Sequence, residues 1–120
     1  MRAAPPDASS AEATDVRVVL CTVPDREVAL RLSRALVEER LVACVNLLPQ
    51  VTSVYRWEGA VQEDTELLLM MKTQAARVEA LTARVVALHP YDVPEVLVLP
   101  VSGGSEAYLG WVRAETAPGL

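Results

Sequence analysis

At 120 residues, 52% of them hydrophobic, the chain has material for one domain with a small core and no more. Sixteen acidic residues against eleven basic ones leave a formal charge of −5. The arginines are scattered among the acids without forming a stripe, so no nucleic acid is expected as a partner. No apolar run approaches the roughly 20 residues of a membrane-spanning helix, so no membrane is expected either.

Residues 1–14 are rich in Ala, Pro and Ser and read as a disordered tail, not a secretory signal, which points to a cytoplasmic protein. Cys21 and Cys44 lack the spacing of a CxxC pair or a disulfide scaffold and are expected as free thiols. Val16 to Cys21 is a β-branched, nearly all-apolar run that predicts a central strand. Asp25 is placed to cap a helix in which Val28, Ala29, Leu32, Ala35 and Leu36 recur at three- and four-residue spacing. From Leu41 to Trp57 the chain is β-rich, and Pro49 predicts a bend or bulge on an edge strand. Glu58-Gly59-Ala60 reads as a turn, and Thr65 to Lys72 as the returning strand of a long hairpin. Thr73 is expected to cap a second helix with Val78, Leu81, Val85 and Leu88 on one face, stopped by Pro90. Glu95 to Val101 reads as a last strand. Beyond Gly103-Gly104, Ser105 is placed to cap a short helix carrying Leu109 and Val112.

The order β-α-β-β-α-β predicts one α+β domain over residues 15–115, a ferredoxin-like sandwich with a long central hairpin and a short C-terminal helix, followed by a tail at 116–120. Right-handed crossovers then place the strands in the spatial order four, one, three, two. Both helices fall on one sheet face. The strand from Leu67 to Met71 is apolar on both sides, and no further element is large enough to cover the second face, so self-association is expected there. On this reading an aspartate at Leu69 breaks the assembly.

The segment His89-Pro90-Tyr91-Asp92-Val93-Pro94-Glu95 holds the only histidine, two prolines, a tyrosine and two carboxylates within seven residues, and each proline restricts the residue before it. A rigid loop with titratable groups is a candidate site. The alternative is that the prolines only end a helix and start a strand, with Tyr91 as a packed lid.

Several spaced motifs resemble the CutA family of divalent-cation tolerance proteins: Leu41-Val42-Ala43-Cys44-Val45-Asn46, Ser53 to Gly59, Lys72-Thr73, His89 to Glu95, and Tyr108-Leu109-Gly110-Trp111. The resemblance implies a homotrimer whose hairpins wrap neighbouring subunits in the manner of PII signalling proteins. It also implies tolerance of divalent metals, above all copper, with a cysteine at the end of the first strand and the loop histidine as ligands. Here these are Cys21 and His89. Leu88 stands where some relatives carry a second histidine, and Asp92 where glutamate is common. Thiolate and imidazole suit copper or zinc, and Glu95 would complete a weak, open site. On this reading His89→Ala weakens copper binding and leaves the melting temperature unchanged; the opposing one makes Cys21 core and His89 a partner of the backbone. A second function follows from the PII likeness: a cleft between subunits, lined by Trp57, Lys72, His89, Tyr91 and Glu95, with Asp92 beside it, that binds an anion or small metabolite and signals to a protein partner. An enzyme is not expected, because Cys21 follows an apolar strand with no helix N-terminus or glycine-rich oxyanion loop beside it.

Overall fold

The computed structural model describes residues 14–118. The tail read at 1–14 lies outside them apart from Thr14, as do the last two residues of the segment 116–120. Among the described residues four strands and three α-helices form: β1 (Val16–Val23), α1 (Arg26–Glu38), β2 (Cys44–Trp57), β3 (Ala60–Gln74), α2 (Val78–Leu88), β4 (Leu97–Pro100) and α3 (Glu106–Glu115). The sheet order is β2-β3-β1-β4, with every neighbouring pair antiparallel. This is the expected four, one, three, two order read from the other edge, so the architecture is the ferredoxin-like α+β sandwich.

Local chemistry sets the boundaries. Asp25 stays extended and accepts a hydrogen bond from the Val28 amide at 2.9 Å, starting α1. Ser105 does the same for α3 through the Tyr108 amide. At the hairpin tip Glu58 and Gly59 both take positive φ, 51° and 83°, the two-residue geometry whose twist matches the flanking strands. Pro49 and Gln50 sit where the β2–β3 register shifts between Leu48 and Val51, and Gln50 has φ 60°. The missing proline donor and the left-handed residue together make the expected bulge.

Thr73 does not cap the second helix. It is fully buried in β3, and its hydroxyl donates to the Leu41 carbonyl at 2.7 Å, tying the strand to the entry of β2. The strand runs on to Gln74, and a short 3-10 turn at Ala75–Arg77 leads into α2, which has no side-chain cap.

The core lies between the sheet and α1 with α2, where Leu32, Leu36, Leu81 and Val85 pack on Val19, Cys21, Leu69 and Met71. Leu69 is fully buried there, inside its own subunit, which corrects its assignment to an assembly face. Alternation along β3 puts Leu68 and Met70 on the opposite face, where they are half-buried. Pairing brings Leu48, Leu20 and Leu97 beside them on that face, with Leu97 55% exposed. The short helix covers more of this face than its length promised: Leu109 and Val112 of α3 bury Val16 and Ala43 at one end. Gln74 anchors the helix by donating to the Arg113 carbonyl and the Thr116 hydroxyl. The other end stays open.

Candidate functional site

Pro90 cannot continue α2, so the helix ends at Leu88 and His89 turns extended (φ −78°, ψ 140°) while its amide still donates to the Val85 carbonyl. This swings the imidazole back onto the end of β1. There Nε2 lies 2.8 Å from the Thr22 carbonyl oxygen, and Nδ1 accepts from the Tyr91 amide at 3.1 Å. A carbonyl can only accept, so Nε2 carries the proton and donates, and Nδ1 is the acceptor. The ring also packs against Tyr91, with centroids 4.6 Å apart. Both nitrogens are committed.

Cys21 reaches the same carbonyl, its thiol donating to Thr22 O at 3.7 Å. Cys21 and His89, the two ligands the resemblance implies, thus meet at one backbone carbonyl. Burial pushes the thiol up to about 12, with the Glu95 and Glu66 carboxylates adding to the shift. A metal taking this thiol would have to displace its proton, and one taking the imidazole would have to replace a hydrogen bond of the ring. Among the described residues no three His, Cys, Asp or Glu side chains are placed to hold a metal ion. In this arrangement Cys21, His89 and Glu95 do not form a three-ligand group.

Three results should follow. His89→Ala removes both ring hydrogen bonds and the Tyr91 contact, so the variant should lose about 1–3 kcal/mol of stability, read as a lowered melting temperature. Iodoacetamide at pH 8 should modify the partly exposed Cys44 well before Cys21. The folded state holds the Cys21 proton more tightly than the unfolded chain, so its stabilising effect is intact below about pH 9 and is lost as pH rises towards 12. Urea midpoints of the parent and Cys21→Ala across pH 8–11 measure this, the parent's excess loss being the expected sign.

Beside this corner opens a cleft of about 860 Å³ between the hairpin and the 90–95 loop. Trp57, Tyr91, Asp92 and Glu95 line it as the sequence reading expected; Tyr55, Asp64 and Glu66 join them. The Tyr91 hydroxyl donates to Glu66 Oε2 at 2.7 Å, and the Tyr55 hydroxyl to Asp64 Oδ2. Burial foremost, then the Glu66 carboxylate, pushes the Tyr91 phenol well above its ordinary range; the hydrogen bond to Asp64 raises Tyr55 likewise. Lys72 and His89 do not line the cleft. The Lys72 ammonium donates to Asn46 Oδ1 instead. Among the described residues four carboxylates and no basic side chain line it, so the cleft of the single chain is acidic and favours positive charge. Asp64 and Glu66 are legible only as alternate residues on one side of a strand, a pattern that reads equally as a solvated face.

A ferredoxin-like subunit with a long β-arm and a ligand-sized cleft at its root is of the PII-like class. Within that class the chain belongs to the CutA1 divalent ion tolerance protein family, whose profile matches residues 17–115. It is 56% identical over 99 residues to the divalent-cation tolerance protein CutA of Thermus thermophilus, covering 82% of this chain and 96% of that one. It is 52% identical over 101 residues to the human protein CutA, covering 84% of this chain and 56% of the human one. The crystal structure of CutA1 from Oryza sativa superposes with a TM-score of 0.85 at 46% identity, covering 89% of this chain and 98% of that one.

Proposed function

We propose that this chain is a non-catalytic divalent-cation tolerance protein that works as a cytoplasmic homotrimer and meets cations in the acidic cleft. The observation that carries the reading is the cleft's lining: Asp64, Glu66, Asp92 and Glu95 with no basic side chain among them. Oxygen donors of this kind attract hard divalent ions, which keep part of their water shell, and they give copper no nitrogen or sulfur ligand. Support for assembly comes from the open apolar sheet face at Leu48, Leu68, Met70 and Leu97, and three copies are what the resemblance implies. The PII-like regulatory reading keeps the same cleft with the charge of its ligand reversed.

Calorimetric titration of the metal-stripped protein with Mn²⁺, Zn²⁺ and Cu²⁺ tests the site. Asp64→Asn with Glu66→Gln should weaken divalent binding several-fold, while Cys21→Ser should leave it unchanged. Copper binding that disappears with Cys21→Ser alone would return the site to the thiol and imidazole.

A further inference from the structure

The bulge at Pro49-Gln50 falls where β3 loses its second neighbour. β1 pairs with β3 only from Leu67 to Gln74, and the β2–β3 register shifts between Leu48 and Val51, so both breaks lie at one level of the sheet. Beyond it β2 and β3 have only each other. We infer that the hairpin arm from Val51 to Glu66 is a hinged flap, which turns as one unit about this bulge and sets the width of the cleft beside it.

The bulge has the build of a joint. One extra residue on β2 bends the strand, Pro49 supplies no amide to the ladder, and Gln50 holds φ 60°, a left-handed conformation unusual for a residue other than glycine. Pairing is regular on both sides of it, so the arm itself stays stiff. The arm is also loosely held. No residue from Val51 to Thr65 is buried, and none belongs to either packed cluster of the core. Among the described residues one side-chain hydrogen bond ties it to the rest of the subunit, from the Tyr91 hydroxyl to Glu66 Oε2 at the arm's root. Few buried contacts and a single tether mark a segment that moves apart from its domain. Motion of the arm changes the cleft directly. Val54, Trp57 and Asp64 line it on the arm side, and Tyr91, Val93 and Glu95 on the loop side. At about 3.3 Å per residue the arm reaches about 23 Å from the bulge to Glu58, so a turn of about 10° carries the tip about 4 Å. In an assembly whose arms reach neighbouring subunits, a neighbour's grip on the arm passes to the cleft through the same joint.

The test reads distances between paired nitroxide labels by electron paramagnetic resonance on the full chain carrying Cys44→Ser, with Cys21 shielded by its burial. Labels at Val61→Cys near the tip and Val86→Cys on α2 span the joint; labels at Val86→Cys and Val37→Cys, both on the helices, do not. All three sites are exposed, and dilution with unlabelled chain leaves one labelled subunit per assembly. The distance distribution across the joint should be at least about twice as wide as that of the helix pair, and wider still in Met70→Asp, which places a charge on the open sheet face and should leave single subunits. Deleting Gln50 together with Pro49→Val keeps Leu48 opposite Leu68 and Val51 opposite Glu66 with no residue to spare, and should narrow the distribution to that of the helix pair. Tyr91→Phe removes the tether and should widen it. Should the deletion variant fail to fold, Tyr91→Phe against the parent carries the test. A wide distribution confined to Met70→Asp keeps the joint and assigns its restraint to the neighbouring subunit. The inference is overturned if the joint pair is as narrow as the helix pair in both proteins, or if neither the deletion nor Tyr91→Phe alters its width.

Discussion

Leu69→Asp will unfold the subunit itself. The side chain is fully buried between the sheet and the helices, packed in the cluster that holds Leu32, Leu36, Leu81 and Val85. A carboxylate there has no partner to replace water, and the leucine's own contacts vanish with it. The combined loss should be about 4 kcal/mol or more, a large share of the roughly 5–15 kcal/mol that holds a domain of this size together. Circular dichroism of the purified variant checks this: the expected result is loss of cooperative melting, or recovery only in the insoluble fraction. A folded Leu69→Asp protein would mean that the side chain is not in the core.

Met70→Asp, one residue along the same strand, should do something different. Met70 points to the opposite face, where it is half-buried beside Leu20 and Asn46 in the pairing register. Within one subunit the aspartate keeps contact with water, so the loss of subunit stability should be about 1 kcal/mol. In the proposed trimer this face is covered, and a charge at its centre should cost at least about 2 kcal/mol per subunit, enough to move the sedimenting species from trimer to monomer at micromolar concentration. Sedimentation velocity with a parallel melting curve separates the two effects. A trimer that survives Met70→Asp would place the contact surface elsewhere. The contrast between adjacent residues is the diagnostic: one change should abolish the fold, the next only the assembly.

His89 shows how a residue's place can be legible while its bonding is not. Strand order alone brings the end of β1 beside the start of the last strand, so the meeting of Cys21 with His89 was accessible from topology. What they do there depends on a carbonyl oxygen. Thr22 O takes both donors, and the Tyr91 amide occupies the remaining ring nitrogen. None of this leaves a mark in residue spacing, because backbone groups are the same at every position. Lys72 is the reverse case. It lies on the same strand side as Glu66, but six residues along β3 is about 20 Å, too far for one cleft. Its hydrogen bond to Asn46 places it at the other end of the sheet.

The sequence by itself determined the elements, their order and the strand topology, because these follow from near-neighbour chemistry. Asp25 and Ser105 supply acceptors to helix starts, Glu58-Gly59 tolerates positive φ, Pro90 ends a helix, and right-handed crossovers admit one strand order. Tertiary structure alone decided which side of β3 is core, what Thr73 bonds to, how far α3 covers the second face, and the sign of the cleft's charge. Leu67 to Met71 is apolar at every position, so the pattern holds no parity to tell the two faces apart until helices dock on one of them. The cleft's acidity likewise arises from joining Asp64 and Glu66 to Asp92 and Glu95 across some thirty residues of chain, and only folding brings those fields into one volume.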